Sequence, residues 1–138
     1  MISVTSITDK YILQPSLIAK HKKTLDWLST SLFWKKEMSF FQKLLDNIAP
    51  KLSAIPDKQR LDHFQHFITY YNAELIDSLR TKLRLHEKNL AEMFEQKDEL
   101  GKKYFEEHDE LMGALEGANT QILLTKEDLF DFVGKAMT

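Results

Sequence analysis

Apolar residues recur along this chain at spacings of four and three over three long stretches, the period of helices that bury one face. In the first stretch Trp27, Ser31, Trp34, Met38, Phe41, Leu45 and Ile48 form a heptad seam. Pro15 and Ser16 suit the opening of that helix, and Pro50 ends it because proline cannot continue a helix interior. The second stripe runs Leu61, Phe64, Ile68, Tyr71, Leu75, Leu79, Leu83, His86, Leu90 and Met93, with Asp57 after Pro56 placed to cap it. The polar stretch Glu95–Glu99, ahead of Gly101, is the natural turn. The third stripe is the most regular: Tyr104, His108, Leu111, Leu115, Ala118, Ile122, Thr125, Leu129, Phe132 and Ala136.

These patterns predict an all-α fold, an antiparallel three-helix up-down-up bundle forming one domain over 1–138. The helices fall at about 16–49, 57–95 and 101–137, after an extended N-terminal arm over 1–15. A four-helix alternative breaks the last helix near 117–125, where Gly117 weakens it and Thr125 with Asp128 resembles a capping box. The unbroken phase of the third stripe favours continuity.

Composition narrows the chemistry. Four Gly and three Pro in 138 residues are few for a sheet-rich domain, and the absence of Cys excludes disulfides and thiolate chemistry. No apolar run is long enough to span a bilayer, and the N-terminus lacks a signal-peptide pattern, so no membrane association and a cytoplasmic setting are expected. Charge is uneven: residues 1–85 carry 13 Lys/Arg against 8 Asp/Glu, and residues 86–138 carry 6 against 13. A basic first helix beside an acidic last one accounts for this. With only three Arg in the chain, nucleic-acid binding is not expected. None of the phosphate-loop, nucleophile-elbow, dinucleotide or zinc-protease motifs occurs, so no catalytic residue and no cofactor are assigned.

Two features remain as candidate sites. With hairpin turns near residues 53 and 97, His21, His86 and His108 fall at one level, with Glu87 and Glu107 beside them. Three converging imidazoles suit Zn²⁺ or a similar metal; equally, such a layer can be a polar, hydrogen-bonded end of the bundle. Asp62, His63 and His66 crowd one side of the second helix in the same way, as a metal pair or a solvated face.

The second feature is the width of the first helix's apolar face. At 100° per residue, Phe33, Phe40 and Leu44 lie roughly 80–120° from Trp34, and Leu25 and Leu32 lie nearly opposite it. Either the N-terminal arm or the last helix covers Phe33, Phe40 and Leu44, or they form the interface of a two-fold homodimer.

The runs Trp27-Leu28, Phe33-Trp34-Lys35-Lys36-Glu37, His63-Phe64-Gln65, His86-Glu87 and Phe130-Asp131-Phe132 resemble those of small uncharacterised helical proteins of Bacteroidota-type bacteria. The resemblance covers roughly residues 20–135 and implies a helical fold and a bacterial cytoplasmic setting, with no catalytic residues. The expected function is a non-enzymatic interaction or scaffold module, homodimeric through the first helix and open to a further protein partner. The alternative is a metal-binding bundle using His21, His86 and His108.

Overall fold

The structure, a computed structural model, describes residues 15–96 and 101–138. Four α-helices account for nearly all of them: α1 (Pro15–Ile48), α2 (Ile55–Tyr70), α3 (Ile76–Gln96) and α4 (Gly101–Ala136). No strand occurs among the described residues, and no helix there is long and apolar enough to cross a membrane. The fold is an all-α bundle, and α4 passes Gly117 and Thr125 without a break. The expected arm lies outside the described residues, apart from Pro15 in the first turn of α1.

At the first connection Pro50 sits in a short 3₁₀ turn, Ala49–Lys51, where Leu52 N–H donates to Ala49 C=O at 3.2 Å. The next helix starts two residues before Asp57, with Ala54 at its N-cap and Pro56 in its first turn. Asp57 is therefore not the cap expected from sequence. Proline's fixed φ and missing N–H suit the first turn of a helix, and that pulls the start forward. Asp57 is left inside the turn, where its carboxylate faces the positive end of the helix dipole.

Between α2 and α3 the helix does not stop; it loosens into a π turn, Tyr71–Leu75. A π turn holds one more residue than an α turn. The buried stripe accordingly steps from Tyr71 to Ile76, five residues, before resuming at Leu79, Leu83, His86, Leu90 and Met93. Ile76 is fully buried, and Leu75, assigned to the seam from sequence, is only half-buried. The extra residue restores the four-three phase that three consecutive steps of four, from Tyr71 to Leu83, would have lost.

Contacts group the described residues into two compact units: one within residues 15–30, 79–96 and 101–115, the other within residues 31–78 and 116–138. In the first unit the order of contacts fixes the direction of each segment. Arg80 Nη1 donates to Leu28 C=O at 2.6 Å while His21 meets Glu87, so α1 and α3 are antiparallel. Lys20 lies over the Phe105 ring, and Leu17 shares a cluster with Tyr104, so α1 and α4 run parallel. That cluster of Leu17, Leu90, Met93 and Tyr104, together with Leu83 and Leu115, makes its apolar core.

In the second unit, Phe41 meets Phe130 edge-on at 5.4 Å and Glu37 pairs with Lys126 at 2.9 Å, again setting α1 parallel to α4. Phe64 packs on Phe132 at 5.3 Å, and the Arg60 guanidinium covers both rings. Met38, Leu45, Ile48 and Ile122, each at most 2% exposed, complete an apolar interior. Burying a side chain of this size contributes roughly 1.5–3 kcal/mol.

Candidate functional site

The first unit holds the chemistry. Tyr104 and His108 are four residues apart on α4, so they share one face; His86 reaches them from α3. His86 Nε2 lies 2.9 Å from His108 Nδ1, and both imidazoles are buried, at 2% and 5% exposure. The Tyr104 ring stacks flat on His86, with centroids 4.2 Å apart and planes within 2°. Two polar atoms in this cluster are buried with no hydrogen-bond partner, His86 Nδ1 and Tyr104 Oη.

A hydrogen bond between two imidazoles requires one ring to donate N–H to the other's bare nitrogen. With both rings in the Nε2–H tautomer, His86 donates to His108, and His86 Nδ1 keeps a lone pair that receives no proton. Burial and the neighbouring His108 push the His86 imidazole down to about 4. His108 is also lowered, by burial and then by the charges of Lys20 and Lys23, against an opposing pull from Asp109. Burial and the Glu87 carboxylate raise the Tyr104 phenol. Around neutral pH the cluster is uncharged, with one internal hydrogen bond and two unused polar atoms.

His21, expected in the same layer, stands apart. Its Nδ1 lies 3.0 Å from the Glu87 carboxylate, and the side chain is 44% exposed. Residue Glu87 follows His86 directly, so the two side chains leave α3 in different directions: Glu87 toward His21, His86 toward α4. The level of His21, His86 and His108 was legible from the turn positions, but this divergence was not. Among the described residues no group of three or more His, Asp or Glu is placed to hold a metal ion. The same holds for Asp62, His63 and His66. There His66 Nδ1–H donates to its own helix, at Asp62 C=O, over 2.7 Å, and His63 lies edge-on to Phe64.

Sequence reasoning named Glu107 but not its partner. Asn89 Nδ2 donates to Glu107 Oε2 at 3.0 Å, beside His86. Together with Lys82, Leu85, Glu110, Leu111 and Ala114 these residues surround a cavity of about 470 Å³ between α3 and α4. Tyr104 was also read only as an apolar seam residue. Its spacing of four from His108 was the available signal for an aromatic platform beneath the imidazoles.

The second unit carries the other candidate. Phe33 and Phe40, one heptad apart on α1, are 60% and 57% exposed, and Leu44 is half-buried. Leu32 beside them is 45% exposed. Phe40 also lines a shallow depression with Lys35, Lys36, Ser39 and Lys43. Lys35 is tied down, with its ammonium against the Asp77 carboxylate and 3.5 Å from Asn72 C=O in the π turn.

Comparison with protein-family models, curated proteins and solved structures finds no match to this chain. Functional inference therefore rests on these two sites.

Proposed function

We propose that this protein is a non-catalytic, cytoplasmic interaction or scaffold module that self-associates as a two-fold dimer through α1, using Phe33, Phe40 and the open part of Leu44. One observation carries the reading: two phenylalanines, more than half exposed, repeat at heptad spacing on one face of a long helix. Large exposed aromatics in register are what an interface offers and what an isolated surface avoids.

A second copy is the favoured occupant because the ridge is self-complementary. Antiparallel pairing about an axis midway between Phe33 and Phe40 sets each Phe33 beside the partner's Phe40. Parallel pairing would set both Lys36 and Lys43 against their copies. Antiparallel pairing leaves only the two Lys36 level near the axis and separates the two Lys43 ammoniums by roughly 20 Å along the helices. Phenylalanine buries about 150–250 Å². The ridge therefore supplies less than the roughly 800 Å² per partner of a standard interface, and the dimer belongs to the weak, transient class.

Sedimentation equilibrium over about 10–300 µM protein tests this, a range that brackets weak association. The expected result is a concentration-dependent rise toward twice the monomer mass, abolished in Phe33→Ser/Phe40→Ser. A monomer throughout the range would sink the reading.

A further inference from the structure

The α1 ridge is one wall of a longer feature in the second unit. Glu37 pairs with Lys126, and Phe41, four residues on, meets Phe130, also four residues on, so the parallel helices keep one register. Lys35, on the other flank of α1, is held by Asp77 and Asn72. At 100° per residue, Phe33, Phe40 and Leu44 lie roughly 20–60° beyond Glu37, along the outer edge of the α1–α4 contact. On α4, Leu123 and Met137 stand one heptad either side of Phe130 and share its face, while Phe132 turns to Phe64 on α2. Leu123, Phe130 and Met137 are each about half exposed or more. Two apolar rows therefore flank an open groove, with the Glu37–Lys126 pair and the Phe41 ring on its floor.

The rims beyond those rows carry opposite charge. Lys36 and Lys43 border the Phe33–Phe40 row on α1, and Glu127 and Asp131 border the Leu123–Phe130 row on α4. All four are exposed, and none is in an ion pair among the described residues. Pairing α1 with its own copy leaves the two Lys36 ammoniums level and the α4 row uncovered. A two-fold axis running along the groove does neither. It turns the partner's α4 onto α1 with no shift along the helices, so the register within the chain sets the levels between copies. Phe33 then comes level with the partner's Ile122, next to the partner's Leu123, and Phe40 with the partner's Leu129, next to the partner's Phe130. On the rims, Lys43 is within one residue of the level of the partner's Asp131, and Lys36 within two of the partner's Glu127.

We infer that a second copy docks groove to groove, each α1 ridge on the partner's α4 row and each basic rim against the partner's acidic rim. This docking presupposes the self-association through α1 proposed above and makes α4 the surface that the ridge meets. Six large apolar side chains per copy are covered instead of three, which carries the interface toward standard size.

Sedimentation equilibrium over about 10–300 µM on variants of the full chain tests this. Lys36→Glu/Lys43→Glu makes both rims acidic, and Glu127→Lys/Asp131→Lys makes both basic. Each variant alone should associate at least about tenfold more weakly than the wild-type chain, with an unchanged circular dichroism spectrum. Their equimolar mixture should recover the dimer, because each α1 then faces an oppositely charged α4. Leu123→Ser/Phe130→Ser should also weaken association at least about tenfold. Pairing of α1 with its own copy predicts no weakening from either reversal, since like charge replaces like. If the reversals or Leu123→Ser/Phe130→Ser dimerise as the wild type does, or the mixture gains nothing, α4 is outside the interface and the docking falls while self-association stands. A wild-type chain that stays monomeric overturns both and leaves the groove to another protein.

Discussion

The two units are assembled from stretches of the same helical runs, yet their interiors differ in one respect, the titratable rings that one of them buries. Residues 31–78 with 116–138 pack phenylalanines against one another: buried Phe64 on buried Phe132 beneath Arg60, and buried Phe41 edge-on to the exposed Phe130. The unit within residues 15–30, 79–96 and 101–115 buries two imidazoles, with a tyrosine hydroxyl beside them that has no partner. An apolar interior gains stability from every side chain it removes from water, at any pH. A buried imidazole gains only while it is neutral. Sensitivity to pH should therefore concentrate in the first unit.

The largest effect comes from breaking the apolar side of that contrast. Phe64→Ala removes a ring that is 3% exposed and held between Phe132 and Arg60. Urea denaturation should register a loss of about 3–5 kcal/mol, the usual cost of an aromatic truncation in a core. A loss under about 1 kcal/mol would mean that the site collapses freely around the missing ring.

Acidification tests the other side. The His86 imidazole sits at about 4 in the folded chain, against 6.5 when unfolded. Between those values the unfolded chain binds a proton that the folded chain refuses, so stability falls as pH drops from about 6.5 to about 4 and is unaffected by this group above 6.5. The loss amounts to roughly 3 kcal/mol once both limits are passed. The groups facing the pair act in both senses: Lys20 and Lys23 oppose protonation of His108, and Asp109 favours it. Carboxylate titration overlaps the lower end of the range, so the test is the difference in unfolding free energy between the wild-type chain and His86→Leu, followed from pH 7.5 to 4.5 on the reference scale. That difference should shift steadily in favour of His86→Leu as pH falls. A flat difference would show that His86 is not held neutral by the fold.

Helix positions and directions were readable from sequence because apolar spacing and proline placement are local signals with a fixed period. Eight of the ten third-stripe residues are buried outright in α4, from Tyr104 to Phe132, with Leu111 and Ala118 at 8% and 7% exposure. The same wheel set Phe33 and Phe40 outside the face of α1 that one neighbour can hide, but left open whether the arm or the last helix covers them; their side chains are 60% and 57% exposed. The histidine layer was only half readable. Hairpin symmetry gives the level of a residue on its helix, but the direction of its side chain depends on 100° steps around the axis. That is why Glu87, next to His86, took His21. The π turn was present in the spacing as three consecutive steps of four, the residue excess that a looser turn absorbs.

That turn sharpens the comparison at the smallest scale, because it keeps the buried stripe in phase where the second unit's stretch of the middle helical run ends at Ser78. If it is a one-residue insertion, removing one residue should restore an ordinary α-helix. Ala73 is exposed and lies inside the turn. Its deletion leaves Tyr71 and Ile76 four residues apart, the step an α seam needs, while Leu79, Leu83, His86 and Leu90 keep their mutual spacing. The expected outcome is a folded, fully helical protein within about 2 kcal/mol of the parent by urea denaturation, with the altered contacts of Lys35 to Asn72 and Asp77 accounting for the difference. Deletion of Lys88, equally exposed but inside regular α3, is the control. It rotates everything beyond it by about 100° relative to His86 and should abolish the cooperative transition. If both deletions were equally damaging, the π turn would be a fixed requirement of the fold, and the five-residue step from Tyr71 to Ile76 would have to be explained by the contacts of the turn itself.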